Sequence, residues 1–230
     1  MRISGVYSHK DGEEYVESVY PHLLREIRTV IESIDAETCR LKKPKGKEQN
    51  RATRIGVKLF FSPPHLNALF DWHFFNLGWD IKPRIKTHDR MREGYREIDV
   101  VKERLGVELQ FGKYSFLTYD IIAKMVIFNK VGLIDCGVEL CVMASMLPHM
   151  SSGIGAFEQV VWDLRTRGEA DIDIPALVLG IESDEFYRTR MQKGADVMPS
   201  PTLAPEMTIQ RYSSLSHATL SRVRETGIDT

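Results

Sequence analysis

Apolar residues spaced for helices and for strands alternate along most of this chain, and that alternation restricts the fold more than any other feature. Residues 3–8 can form an opening strand, and residues 21–34 place apolar side chains on one helical face. Pro63 suits the first turn of a second helix that ends at Gly78. A chain with this order of elements is expected to fold as α/β.

The rest of the chain continues the pattern. Two short apolar runs at residues 97–101 and 106–111, separated by the polar turn 102–105, predict a hairpin. The elements predicted after it are a helix at 115–129, a strand at 134–142, a helix at 156–167 and a buried strand at 174–181. We therefore predict one α/β domain over residues 1–181, with a central mixed β-sheet flanked by helices. Residues 182–230 are polar and rich in Pro and Ser, which predicts an appended C-terminal extension with limited packing.

Composition excludes several classes of protein. With 230 residues, 43% apolar and 27% charged, the chain is neither disordered, collagen-like nor a disulfide scaffold. The apolar run at 176–181 is too short to cross a bilayer, and the first residues lack a secretory pattern. Three cysteines, an odd number without metal-ligand pairing, predict free thiols: Cys39, Cys136 and Cys141. We expect a cytoplasmic protein.

A basic segment, defined here as residues 40–58, stands out against the net charge of −1. Glu48 is its single acidic residue. The eight basic residues are Arg40, Lys42, Lys43, Lys45, Lys47, Arg51, Arg54 and Lys58. Like charges repel one another and stay solvated, so the segment is either a mobile surface loop or a contact for a polyanion.

The predicted hairpin carries two carboxylates. Glu108 and Gln110 are two residues apart on one strand, so they share a face, and pairing of the strands can bring Asp99 beside Glu108. The alternate side chains face the core: Val107, Leu109 and Phe111. Paired carboxylates at the end of a sheet suit Mg²⁺, which prefers oxygen ligands and keeps several waters. An Asp followed by Glu-x-Gln also occurs on ordinary surface hairpins, so the pattern alone is weak.

The sequence around this hairpin resembles a known family. Residues 108–116, Glu-Leu-Gln-Phe-Gly-Lys-Tyr-Ser-Phe, resemble the active-site strand of type II restriction endonucleases of the BglII/BstYI group, within the PD-(D/E)xK nuclease superfamily, and are most similar to BstYI-like enzymes. Further segments look like family segments in the same order: residues 33–40, Tyr119-Asp120, residues 150–154 and residues 175–179. The resemblance covers roughly residues 1–181. It implies a restriction-endonuclease-like fold.

The resemblance also implies a role for each residue of the hairpin. Asp99 and Glu108 correspond to metal-binding carboxylates, and the carbonyl of Leu109 to a main-chain ligand of Mg²⁺. Gln110 stands where most of the superfamily has Lys, and an amide can orient water but carries no positive charge. The BglII-like group shares this Gln. The implied reaction is hydrolysis of double-stranded DNA that leaves 5′-phosphate ends.

The resemblance places Lys113 opposite the outer base pair of the DNA site. An ammonium group only donates, and N7 is an acceptor on both adenine and guanine, so Lys113 can accept either purine. We therefore predict the degenerate site purine-GATC-pyrimidine with four-base 5′ overhangs, and AGATCT or GGATCC are the competing sites. Ser151 and Ser152 resemble a second recognition loop, although serines before a helix are also common helix starts.

A palindromic site requires a two-fold symmetric protein, so we expect a homodimer. The helix at 115–129 has more apolar surface than a solvated helix needs, and part of it can form the subunit interface. We expect the basic segment to close over the DNA backbone and to order only when bound, through its lysines Lys42, Lys43, Lys45 and Lys47.

Two other functions remain open on the residues alone. One is a structure-selective repair or recombination nuclease that uses the same carboxylates. The other is a DNA-binding protein without catalysis, in which Gln110 marks a lost active site.

Overall fold

A six-stranded mixed sheet lies at the centre of the computed structural model, which describes residues 1–86 and 94–194. The strands of the described chain are β1 Arg2–His9, β2 Arg40–Lys42, β3 Phe60–Phe61, β4 Asp80–Ile81, β5 Arg84–Lys86, β6 Tyr95–Glu97, β7 Val100–Lys102, β8 Leu105–Gln110, β9 Cys136–Val142 and β10 Ala176–Glu182. The sheet has the order β1-β10-β9-β8-β7-β4. Its three central strands are parallel and the others antiparallel, while β2 with β3 and β5 with β6 form two small separate sheets.

Helices cover both faces of this sheet. They are α1 Gly12–Val19, α2 Pro21–Ser33, α3 Lys47–Arg54, α4 Pro63–Asn76, α5 Tyr114–Tyr119, α6 Met125–Lys130, α7 Phe157–Arg167 and α8 Asp184–Gln192. A π-helical turn, Asp120–Lys124, joins α5 directly to α6. This architecture confirms the predicted α/β class and the central mixed sheet flanked by helices.

Alternation along the strands divides the core into two apolar clusters. Val107 and Leu109 of β8 belong to the cluster that contains α2 and α4. The opposite cluster contains Met125 and Phe128 of α6 together with buried residues of α7. Glu108 lies between Val107 and Leu109 in sequence, so its side chain points toward the helical layer of α5 and α6. The predicted apolar helix at 115–129 therefore packs largely as core.

The basic segment is not the mobile loop that its charge predicts. Arg40–Lys42 pairs with β3, and Lys47–Arg54 forms a helix with Ala52 buried. The guanidinium of Arg40 lies 4.0 Å from the ring centroid of Phe61. Cationic side chains of this segment stack on aromatic rings and bind a neighbouring loop, which holds the segment in place. The expectation that the segment becomes ordered only when it binds DNA is therefore wrong.

The start of the C-terminal extension packs on the sheet. Arg2 Nε lies 2.8 Å from Asp184 Oδ1, and Arg190 Nε lies 2.9 Å from Glu182 Oε1. Residues 195–230 lie outside the described part of the chain. The three cysteines are buried free thiols, and no helix in residues 1–86 and 94–194 is long and apolar enough to cross a membrane.

Candidate active site

The hairpin of β7 and β8 brings the predicted carboxylates together. Val100 pairs with Val107, and the same antiparallel register sets Asp99 opposite Glu108. The backbone N–H of Leu109 donates a 2.8 Å hydrogen bond to Asp99 Oδ2, which fixes the orientation of that carboxylate. Glu108 is almost completely buried, at 2% exposure. Burial and the charge of Asp99 raise the pKa of Glu108 well above its usual value.

Lys124 supplies positive charge to this carboxylate pair. It lies on the π-helical turn, and its Nζ is 2.7 Å from Glu108 Oε1 and 3.7 Å from Asp120 Oδ1. Burial alone would lower the pKa of Lys124, but the charges of Glu108 and Asp120 outweigh it and raise the pKa. Lys124 therefore stays charged beside Glu108. Sequence reasoning missed both Lys124 and Asp120 in this role, although the spacing of i and i+4 on a predicted helix indicates that they share a face.

Gln110 is held at both ends of its amide. Its Nε2 donates a 2.8 Å hydrogen bond to Asp120 Oδ2, and its Oε1 accepts a 3.0 Å hydrogen bond from the backbone N–H of Gly112. The side chain is therefore fixed on the same sheet face as Glu108. Oε1 retains a second lone pair.

Glu139 is a further acid that sequence reasoning missed. It lies on β9 in register with Glu108 and is fully buried, and neither carboxylate oxygen has a hydrogen-bond partner among the described residues. Burial, followed by the charges of Asp120 and Glu108, raises the pKa of Glu139 well above its usual value. We conclude that the space beneath α5 and α6 holds more carboxylates than Lys124 alone can neutralise.

The donor set determines which metal can fit. No group of three His, Cys, Asp or Glu side chains arranged to hold a metal ion occurs within residues 1–86 and 94–194. The pair Asp99 and Glu108 offers hard oxygen donors, and the carbonyl of Leu109, which accepts a 3.3 Å hydrogen bond from the N–H of Phe111, keeps a second lone pair. A site with so few protein ligands is sufficient for Mg²⁺, because this ion keeps several waters and takes further oxygen ligands from a bound phosphate.

The residues predicted to read bases lie on two neighbouring segments, Lys113 on one and Ser151 and Ser152 on the other. Lys113 forms an isolated antiparallel bridge with Ile154, and the N–H of Tyr114 donates a 2.9 Å hydrogen bond to the carbonyl of Gly153. Lys113 is exposed next to the loop that carries Ser151 and Ser152.

These serines do not start a helix. Phe157 is the first residue of α7, and the Gln159 side chain accepts a 2.8 Å hydrogen bond from the N–H of Ala156. Of the four predicted lysines, Lys42 bonds to Ser151 Oγ, whereas Lys43, Lys45 and Lys47 are exposed around it.

A mixed sheet with flanking helices has counterparts among solved structures, and they define the fold. The crystal structure of the restriction endonuclease BglII complexed with a DNA 16-mer matches with a TM-score of 0.62 and 19% identity, over 80% of this chain and 79% of that chain. Free BglII matches with a TM-score of 0.55 and 18% identity, over 80% and 81% of the two chains. These likenesses establish the restriction-endonuclease fold.

The family follows from the sequence model of "Restriction endonuclease BglII/BglIII", which matches residues 4–181. The chain therefore belongs to the BglII family of restriction endonucleases, which are site-specific type II enzymes. Comparison with curated protein sequences finds no match. Family membership confirms the predicted nuclease class, whereas particular closeness to BstYI and membership of the PD-(D/E)xK superfamily stay predictions.

Proposed function

We propose that this chain is a Mg²⁺-dependent type II restriction endonuclease that cuts double-stranded DNA at purine-GATC-pyrimidine and leaves four-base 5′ overhangs. The observation that carries the proposal is the pairing of Asp99 with Glu108 across the hairpin. Family membership supports endonuclease activity, and a structure of similar fold contains a DNA 16-mer. We place its action in the cytoplasm, where DNA is the substrate.

The proposed reaction is attack of water in line with the bond from phosphorus to the 3′ oxygen, which leaves a 3′-hydroxyl and a 5′-phosphate. Asp99, Glu108 and the Leu109 carbonyl would hold Mg²⁺, which supplies positive charge to the phosphate and lowers the pKa of the attacking water. Gln110 Oε1 accepts a hydrogen bond from that water, because Asp120 and Gly112 fix the amide. The ammonium group of Lys124 opposes the rise in the pKa of Glu108 that burial and Asp99 cause.

The carboxylate pair is tested by substitution. We expect Asp99→Ala or Glu108→Ala to abolish cleavage of plasmid DNA in Mg²⁺ and to leave DNA binding intact in a mobility-shift assay, since removing acids also removes repulsion of phosphate. Glu103→Ala, on the exposed turn of the same hairpin, is the matched control and should cleave normally. Combined loss of folding and binding in the first two variants would instead show a structural role.

The pattern of products separates the competing functions. Discrete bands indicate a sequence-specific enzyme. Cutting that depends on branches or lesions indicates a repair nuclease, and a mobility shift without cutting indicates a binding protein.

The degenerate site depends on Lys113. Lys113 is exposed, and its backbone pairs beside the loop of Ser151 and Ser152, so both segments can approach the same base pairs. A plasmid that carries AGATCT, GGATCC and AGATCC should be cut at all three sites. Cleavage at one hexamer alone would contradict the argument from a lysine that accepts either purine.

We also propose that the enzyme is a homodimer, in which each protomer cuts one strand of the palindrome. Light scattering should give twice the mass of the 26.4 kDa chain. The exposed lysines Lys43, Lys45 and Lys47 would contact DNA phosphates. Replacing all three with Ala should reduce the slope of log affinity against log salt by about 2 to 3 if each lysine neutralises one phosphate. An unchanged slope would exclude these contacts.

A further inference from the structure

Glu48, the single acidic residue of the basic segment, connects that segment to the loop at residues 150–153. Its carboxylate accepts hydrogen bonds from Lys42 Nζ at 3.0 Å and from the backbone N–H of Ser152 at 3.0 Å. The N–H of Lys45 donates a third at 3.3 Å. The Glu48 side chain is only 13% exposed, so these bonds are largely shielded from water.

Two further bonds join the same elements. Lys42 Nζ also donates to Ser151 Oγ, and the guanidinium of Arg51 donates to the carbonyl of Met150. The far end of the loop is held by the bridge between Lys113 and Ile154. The loop is thus held between the active-site strand on one side and the basic segment on the other, with Glu48 as the shared acceptor.

A carboxylate on a surface that binds DNA repels phosphate, so Glu48 does not serve affinity. Burial opposes its ionisation, but hydrogen bonds from Ser152 and Lys42 lower its pKa, and Glu48 is charged at neutral pH. A charged acceptor bound to a backbone N–H is among the stronger means of fixing a loop. Its contribution is therefore to the position of Ser151 and Ser152.

We propose that Glu48 is a positioning residue for sequence recognition. It fixes the loop of Ser151 and Ser152 against the basic segment. Contacts of that segment with DNA phosphates then set the register in which the loop meets the bases. This inference rests on the proposed function. Backbone contacts fix register and base contacts discriminate, and Glu48 couples the two. Without it, the basic segment still binds phosphate while the serines meet the base edges less accurately.

The test measures discrimination. Wild-type protein, Glu48→Ala and Glu48→Gln are each assayed on two short duplexes, one with the site that wild-type enzyme cuts and one with a single base pair of that site replaced. Glu37→Gln is the control, because it removes the same charge from a neighbouring residue that pairs with Arg40. The readouts are kcat and KM on each duplex, affinity for a duplex without a site, and the melting temperature.

We expect Glu48→Ala to reduce the ratio of kcat/KM between the two duplexes at least about tenfold, the size of one lost base contact. Affinity for DNA without a site should stay equal or rise. Glu48→Gln should fall between, because its amide oxygen can still accept from Ser152 while its NH₂ group repels Lys42. Glu37→Gln should keep the wild-type ratio.

The contrary results are equally distinct. An unchanged ratio, or equal loss of kcat/KM on both duplexes, would overturn the inference and leave the proposed function standing. If both Glu48 variants are unfolded at the assay temperature, Glu48 is required for stability and the inference is likewise overturned. Failure of the wild-type protein to cut any DNA would refute the proposed function and, with it, this inference.

Discussion

Replacing Lys124 with Met tests whether its charge stabilises Glu108. Met fills a similar volume but removes the ammonium group that lies 2.7 Å from Glu108 Oε1. The side chains are 18% and 3% exposed, so water compensates little for the loss. Removal of one partner from a buried ion pair costs about 3 to 5 kcal/mol when the other charge stays ionised.

Protonation sets a limit on that cost. A Glu side chain can ionise at about pH 4.3 in the unfolded chain and yet stay protonated in the folded variant. Such a group lowers the free energy of unfolding by about 1.4 kcal/mol for each pH unit above about 4.3, which is about 3.7 kcal/mol at pH 7. Part of this cost is already present in the wild type, because burial and Asp99 raise the pKa of Glu108. We expect Lys124→Met to lower the free energy of unfolding by about 2 to 3 kcal/mol at neutral pH. The loss should shrink as pH falls and vanish below the raised pKa of Glu108 in the wild type, where Glu108 is protonated in both folded proteins.

Urea unfolding across this pH range measures the effect, and a double-mutant cycle isolates the pair. In a Glu108→Gln background, Lys124→Met should cost below about 1 kcal/mol, because the ion pair that is then lost is the longer, 3.7 Å contact with Asp120. Lys130→Met, at an exposed position of α6, should change stability by less than about 0.5 kcal/mol. A loss that is independent of pH and equal in both backgrounds would refute the electrostatic explanation.

Three other changes test buried groups. Glu139→Gln should stabilise the protein increasingly as pH rises above about 4.5, because the raised pKa of Glu139 makes the stability of the wild type fall with rising pH. A difference in urea unfolding that does not change with pH would contradict this explanation. Asp173→Asn should lower the free energy of unfolding by about 2 to 4 kcal/mol at neutral pH, since Arg167 lowers the pKa of Asp173. The difference in stability between wild type and variant should shrink as pH falls below about 4, and a difference that persists there would contradict this explanation. Gly137→Ala should lower the free energy of unfolding by about 1 to 3 kcal/mol, because the added Cβ lies 2.2 Å from Met125 Sδ; an unchanged thermal midpoint would show that Met125 moves aside.

The sequence predicted the elements whose residues alternate regularly between apolar and polar. The hairpin that carries Asp99 and Glu108 is an example, since its strands and polar turn are short and local. Helix α3 was missed because eight mostly polar residues show no apolar stripe. Glu48 and Arg51 hold the helix through contacts distant in sequence.

Glu139 was missed for a different reason. In the alternating pattern of residues 134–142 it falls on the polar face, which predicts exposure to solvent. The central strand β9 is buried on both faces, so that face lies beneath helices instead.

The π-helical turn Asp120–Lys124 has a consequence for how this enzyme can evolve. A π turn contains one residue more than the corresponding α-helical turn, and its geometry is less favourable. Deleting one residue there would restore a regular helix but rotate one end against the other by about 100°. Asp120 and Lys124 could then no longer face Gln110 and Glu108 together. Length changes in this segment would thus favour a straighter helix at the expense of catalysis, and we expect natural selection to remove them.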